Sequence, residues 1–372
     1  MQLNRLAITN FKNIPDARLE FSPKINCFLG DNGMGKSNLL DAIHYLSFCK
    51  SFAGLSDTQL IRRGEGFLTL RGNYTRRGVD EELSAGIQVG RRKSFRRGGK
   101  EYDRLSTHIG AFPLVMASPA DSDLITGTGE ERRRLMDMVI SQADSVYLDQ
   151  LIRYGRALQQ RNRMLRDRCT DPGLFLSVEM AMERPAVYIT RARLQWVERL
   201  NGIFMERYSA IAADGEIPSI ALRSHLAKET AGFGAMLDSA RRHDEIVGYT
   251  SVGPHRDDLE LSLNDMPVRR VASQGQCKTY TIALRLAQYR FLEEASGIRP
   301  LLLLDDVFDR LDARRVERLV DVVSGDGFGQ IFITDTNRDH LDNIMARSTT
   351  ADGHRSWRVA DGTFTLSDPT TA

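Results

Sequence analysis

A chain of 372 residues has room for about two domains, and its 41% hydrophobic and 27% charged residues exclude a disordered chain or a membrane bundle. No run approaches the roughly 20 apolar residues of a membrane helix, and the opening MQLNRLAITNF alternates like a strand rather than reading as a signal peptide, so cytoplasmic residence with no membrane partner is expected. Net charge is only +2, so any nucleic-acid partner must be argued from local clusters, and the four scattered cysteines, expected as small buried side chains, signal neither zinc nor a redox pair.

Short strands are predicted over residues 3–9, 25–29, 67–74, 82–89 and 114–117, with one helix from 36 to about 48 among them. From 130 to about 167 apolar residues recur at three- and four-residue spacings, Asp171-Pro172-Gly173 breaks the pattern, and a second helical stretch runs from about 177 to 211. Strand character returns after Gly248. A helix then follows over about 276–295, an apolar strand over 301–304, a helix over 313–323 and a strand over 331–334. Strands alternating with helices mean an α/β sheet domain. The expected organisation is a head built from both ends of the chain, residues 1–116 and 245–372, around an inserted helical lobe at 117–244.

Gly30-Asp31-Asn32-Gly33-Met34-Gly35-Lys36-Ser37 satisfies G-x-x-x-x-G-K-[ST] between the apolar run 25–29 and an amphipathic helix that continues with Asn38. The glycines let backbone N–H groups curl around phosphates, Lys36 neutralises the β and γ groups, and the Ser37 hydroxyl suits Mg²⁺. The competing reading is a chance glycine-rich turn. A buried strand over 301–304 runs into Asp305 and Asp306, the form of a Walker B strand. Asp305 would hold the Mg²⁺ shell, and Asp306 would orient or deprotonate the attacking water. Two acids capping the next turn is the alternative.

Ala272-Ser273-Gln274-Gly275-Gln276 opens a helix and resembles the signature loop of ABC ATPases. A hydroxyl, a glycine and a helix N-terminus together make an anion site, although an N-capped helix would need the same residues. The resemblance implies that Ser273, Gly275 and Gln276 contact the nucleotide of a second subunit. Asp309-Arg310-Leu311-Asp312 falls where such proteins carry the D-loop, which implies that Asp312 faces the dimer interface. Thr334 stands where transporters place a switch histidine, and His340 lies too far along to replace it, so the γ-phosphate sensor stays open.

Further segments resemble one family, the bacterial RecF recombination mediators, over nearly the whole chain. They are Asn10-Phe11-Lys12-Asn13, Asn38-Leu39-Leu40-Asp41-Ala42-Ile43, Lys50-Ser51-Phe52, Ser118-Pro119-Ala120-Asp121, Arg132-Arg133-Arg134, Gln160-Arg161-Asn162, Val252-Gly253-Pro254-His255-Arg256-Asp257-Asp258-Leu259 and Leu304-Asp305-Asp306-Val307. Ala53 and Asp309-Arg310 depart from the commoner residues of the family. The resemblance implies a P-loop ATPase head of the SMC-like ABC type with no long coiled coil, for which the stretch from Lys36 to Ser273 leaves no room. It also implies ATP-driven homodimerisation, binding of single- and double-stranded DNA, partnership with RecO and RecR, loading of RecA at gaps or junctions in repair and replication restart, and weak DNA-stimulated hydrolysis that resets the dimer. Lys12 would, by the same resemblance, reach the nucleotide phosphates.

DNA contact is expected from Arg91, Arg92, Lys93, Arg96 and Arg97, a basic run with Gly98-Gly99 as its turn, and from Arg153 and Arg156 with Arg163 and Arg166 on one helix face. Both sets also suit plain solvated surfaces. Neither includes a base-reading motif, so binding would be backbone-directed and without sequence preference. Two other classes stay open: an ATPase subunit of a transporter or other machine, against which the missing switch histidine weighs, and an ATP-dependent nuclease using His255, Asp257 and Asp258.

Overall fold

Runs that are apolar at every position belong in the middle of a parallel sheet, because both faces are then covered. In the computed structural model, which describes residues 1–212, 215–229, 232–347 and 353–367, the runs Leu114–Ala117, Leu301–Asp305, Ile331–Asp335 and Ile25–Leu29 lie parallel and adjacent in that order. His354–Ala360 continues the sheet beside Ile25–Leu29, and Thr363–Leu366 closes the edge antiparallel. The register sets Asp305 opposite Thr334 and Asp335 opposite Leu29. Three strands therefore end level, at the edge where open α/β sheets place their ligands.

The second sheet follows the other rule, alternation. Phe67–Arg76 buries Leu68, Leu70, Gly72 and Tyr74 and exposes Phe67, Thr69 and Arg71, as a sheet with one wet face requires. Its antiparallel order is Ile14–Glu20, Gln2–Phe11, Phe67–Arg76, Val79–Gln88, Ser94–Arg97 and Lys100–Glu101. Gly98 and Gly99 both have positive φ, 55° and 77°, which is the turn expected for the basic hairpin. The helix Lys36–Phe48 packs against strands of both sheets, and for that reason is buried along almost its whole length.

These elements belong to one compact unit, residues 1–121, 206–215 and 273–372; the second comprises 122–205 and 216–272. The expected division differs in three respects: residues 117–121 and 206–215, assigned to the lobe, count with the first unit, and residues 245–272, assigned to the head, count with the second. The cause of the last is pairing, since Asp258–Leu263 makes its ladder with Pro218–Arg223 and Met266–Pro267. The long helices of the second unit are Gly129–Ala143, Ser145–Arg166, Pro172–Ile211, whose last residues count with the first unit, and Phe233–Val247. Residues 130–167, read as one helical stretch, are divided at Asp144, whose carboxylate accepts from the N–H groups of Val146 and Tyr147 at 2.8 and 3.1 Å and starts a new helix.

Among the described residues the buried arginines Arg161, Arg193 and Arg285 are paired with carboxylates. Arg161, fully buried, donates to Glu179 at 2.8 Å, Asp244 at 2.7 Å and Thr250 at 2.9 Å. In the first unit Arg285 grips Asp121 at 2.5 and 3.1 Å, and Asp121 also accepts from the N–H of Ser118 at 3.0 Å, which gives the Ser-Pro-Ala-Asp segment a structural purpose. Cys27 and Cys49 are buried as expected, whereas Cys169 and Cys277 are partly exposed. Among the described residues no helix is long and apolar enough to cross a membrane.

Removing one partner of the Arg285–Asp121 pair strands a buried charge, so Asp121→Ala is expected to cost about 3–5 kcal/mol of stability in chemical denaturation. A loss below about 1 kcal/mol would show that this pair behaves like an exposed one.

Candidate nucleotide site

The loop after Ile25–Leu29 can turn as tightly as it does because of its glycines. Gly35 has φ 111°, and a Cβ there would sit 2.9 Å from the Asn13 side chain and 3.3 Å from Gly362. At Gly30 a Cβ would fall 2.3 Å from the carbonyl oxygen of Val359. The Asn38 amide donates to Asn13 at 2.8 Å, and the Asn13 amide donates to the Gly33 carbonyl at 3.4 Å, so the loop is braced from the turn between Gln2–Phe11 and Ile14–Glu20 of the second sheet. Met34 is tied from the other side, where its carbonyl accepts from Gly362 N–H at 2.8 Å. Asp31, Asn32, Gly33 and Ser37 remain exposed. The Lys36 ammonium lies over the loop, donating to the carbonyls of Gly30 and Asp31 at 2.7 and 3.1 Å. A ring of backbone N–H groups around one ammonium is what a polyphosphate binds.

Asp305 Oδ1 accepts two hydroxyls, Ser37 Oγ at 2.9 Å and Thr334 Oγ1 at 2.6 Å. The Ser37 hydroxyl and a buried carboxylate form a hard-oxygen pair of the kind Mg²⁺ takes beside phosphates. Asp306, next along, holds a left-handed backbone with φ 45°. Its N–H donates to both the carbonyl and the hydroxyl of Thr334, at 3.2 Å each. Burial raises the Asp306 carboxyl above its ordinary value; Lys36 opposes the rise, while the neighbouring Asp305 and Asp335 add to it. A carboxylate whose proton affinity is raised is a better proton acceptor. Thr334, considered in the sequence only as a replacement for a histidine, is the residue that aligns both acids. His340 is nearby, with Nδ1 2.8 Å from Asp335 Oδ2 and its ring 5.2 Å from that of Phe308.

The signature and D-loop residues are built as helix caps whose outer faces stay open. Ser273 and Gln276 form a reciprocal capping box at the start of Gln274–Ser296, with bonds of 2.8 and 3.2 Å, and Ser273 is exposed. Gly275 has the Arg310 carbonyl 3.7 Å from where its Cβ would be, so the two loops lie side by side. Asp312 caps Ala313–Ser324 by accepting from Arg315 N–H at 2.9 Å, and its side chain is exposed. Capping, the alternative weighed for Ser273, is therefore part of its geometry, and capping leaves the loop accessible.

Several motif residues do other work than expected. Lys12 does not point to the phosphate loop; it pairs with Asp41 at 2.6 Å, and Asp41 also accepts from Ser51 Oγ and Phe52 N–H at 2.6 Å each. The Asn-Phe-Lys-Asn and Lys-Ser-Phe segments are thereby joined through one helix residue. Lys93 turns inward to the Cys49 carbonyl at 2.7 Å and Asp57 at 3.1 Å, and Arg97 pairs with Glu81 at 2.5 Å, so neither presents a free charge. Arg91, Arg92 and Arg96 remain exposed on the hairpin. In the second unit Arg156 is exposed, and Arg153 is exposed but paired with Asp149 at 2.7 Å.

The segment around His255 is also committed. Asp258 receives Arg132 through two bonds of 2.7 and 3.0 Å, Asp257 receives Arg193 at 2.8 Å, and His255 bonds to Tyr154 and the Thr250 carbonyl at 2.7 and 2.9 Å. Burial pushes the His255 imidazole down to about 4, so it is neutral at ordinary pH. Among the described residues no group of three or more His, Cys, Asp or Glu side chains is placed to hold a metal ion. These pairings leave the nuclease reading without a ligand cluster to support it.

A family model described as RecF/RecN/SMC N terminal domain matches residues 2–354. The DNA replication and repair protein RecF of Parabacteroides distasonis is 49% identical, over 93% of this chain and 94% of that protein. The solved structure of the recombination mediator protein RecF with ATPrS in the RecFOR pathway matches with a TM-score of 0.86 at 27% identity, covering 98% of each chain. An SMC head solved with the C-winged helix domain of ScpA matches with a TM-score of 0.60 at 16% identity, covering 99% of this chain and 97% of that one, and so shares the fold.

Both Gly33 and Gly35 have positive φ, but only Gly35 has neighbours where a methyl would go. Gly35→Ala is expected to weaken ATP binding by about tenfold or more, that is, by at least about 1.4 kcal/mol, and Gly33→Ala by less. Titration with a fluorescent ATP analogue reads both, and equal affinities for Gly35→Ala and wild type would refute the close-approach argument.

Proposed function

The chain belongs to the RecF family, and from that premise we propose how its site drives a cycle on DNA. It is an ATP-binding DNA-repair protein of the RecF type and carries the ATPase head of that family. The observation that carries the reading is the alignment of Ser37, Asp305 and Thr334 beside Asp306.

On this reading the N–H groups of residues 30–38 and the Lys36 ammonium hold the phosphates of ATP. Ser37 and Asp305 would hold Mg²⁺, which when bound would supply positive charge to offset that of the phosphates. Asp306 accepts the proton of the water that attacks the γ-phosphorus, and ADP and phosphate leave. Exposed Ser273 of one copy, with half-buried Gly275 and Gln276, meets the γ-phosphate held by another, with Asp312 at the same seam. ATP thus favours the dimer because only the loaded site binds both surfaces.

DNA enters through phosphate contacts from Arg91, Arg92 and Arg96, with Arg156 contributing from the second unit. Such contacts accept single and double strands alike and weaken with salt. The protein acts with RecO and RecR in the cytoplasm, where it helps load RecA at gapped or junction DNA. Its hydrolysis is slow, is raised by DNA, and releases the dimer.

Asp306→Asn is expected to bind ATP about as tightly as wild type while hydrolysing about 10²–10⁴-fold more slowly. Because Asp306 works as the carboxylate and its proton affinity is raised, the wild-type rate falls on acidification at a higher pH than an ordinary aspartate would set. Duplex DNA raises the wild-type rate at low salt, and the combined Arg91→Ala, Arg92→Ala and Arg96→Ala variant loses that increase. Wild-type turnover by Asp306→Asn would remove Asp306 from the mechanism.

A further inference from the structure

A partly buried ammonium ordinarily finds a carboxylate, since burial without a partner disfavours the charge. Lys278, on the helix Gln274–Ser296, makes no ion pair among the described residues; its Nζ donates instead to the main-chain carbonyl of Asp306 at 3.2 Å. Asp306 holds a left-handed backbone, costly for a residue with a Cβ, so the conformation must be imposed by its surroundings. Two contacts impose it. The N–H side is held by Thr334 from the strand Ile331–Asp335, and the carbonyl side by Lys278 from the signature helix.

Nearby charges fit this placement. Burial lowers the Lys278 proton affinity, while Asp121, Asp309 and Asp306 oppose that fall. Of these, Asp121 is already bound bidentately by Arg285, so it supplies field rather than a bond. Lys278 follows the exposed Ser273 by five residues, about 7 Å along a helix, so one side chain connects the signature helix directly to Asp306.

We propose that Lys278 is a positioning residue for ATP hydrolysis: by holding the Asp306 carbonyl it fixes where the Asp306 carboxylate points and ties hydrolysis to the signature helix of the same subunit. This inference rests on the reading of Asp306 as the base. Methionine at 278 keeps the apolar stem and removes the donors, whereas arginine keeps a donor.

The test compares wild type, Lys278→Met, Lys278→Arg, Asp306→Asn and the Lys278→Met/Asp306→Asn double variant in single-turnover hydrolysis, ATP titration and thermal melting. Lys278→Met is expected to slow turnover by about 10- to 100-fold, the range for a misplaced catalytic group. Its ATP affinity and melting temperature should stay close to wild type. Lys278→Arg should recover most of the rate, and the double variant should be no slower than Asp306→Asn alone, because two residues acting on one step do not add. Full turnover by Lys278→Met beside a dead Asp306→Asn overturns this inference and spares the base. A slow Lys278→Met that has lost ATP binding or stability, and is not rescued by arginine, assigns Lys278 a purely structural role. Normal turnover by Asp306→Asn overturns both.

Discussion

The site depends on a single oxygen. Asp305 Oδ1 accepts the Ser37 hydroxyl from the phosphate-loop helix and the Thr334 hydroxyl from the neighbouring strand, at 2.9 and 2.6 Å. Those bonds can form only if three parallel strands end level, because Ser37 follows one of them, Thr334 is next to last in another and Asp305 ends the third. A slip of one residue in any strand would turn its side chain to the opposite face of the sheet. These mostly apolar strands, which bury on both faces, hold that register by packing, and the acids at the ends of two of them depend on it.

A second pattern is the use of arginine to fasten motif carboxylates. Arg285 holds Asp121, Arg132 holds Asp258, Arg193 holds Asp257, and Arg161 holds Glu179 and Asp244. Planar guanidinium groups suit these places because they deliver several bonds in a fixed fork to buried carboxylates. Such residues look catalytic in a sequence, since they are charged and clustered. In the folded chain they are bonded to one another, and the surface left for the proposed DNA contact is a smaller set of exposed arginines.

Much of the first unit was legible in advance, for identifiable reasons. Residues 114–117 are an uninterrupted apolar run, residues 25–29 are apolar apart from Asn26, and the Lys36–Phe48 helix follows a loop that the glycine spacing already defines. The strand Ile14–Glu20 escaped because its alternation includes Pro15 and three charged residues, as an edge strand permits. His354–Ala360 escaped because its exposed positions carry arginine and its place beside Ile25–Leu29 comes from a pairing across the length of the chain. The phosphate loop, Asp305 and Asp306 were readable from local order. Asn13, Thr334 and Lys278 were not, because each acts through a bond to a residue at least 20 positions away, which no local pattern encodes. The assignment of residues 245–272 failed for the same reason, since its strand partner lies at 218–223.

The central claim is that ATP joins two copies through an exposed signature loop whose helix also carries Lys278. Light scattering of the purified protein, with and without ATP·Mg²⁺ and duplex DNA, addresses it directly when wild type is compared with Lys36→Arg and Ser273→Arg. The account predicts a mass that doubles with ATP, more completely with DNA, and stays single in both variants. A mass unmoved by ATP while hydrolysis proceeds would contradict it, because the signature loop would then have no part in a second copy's site.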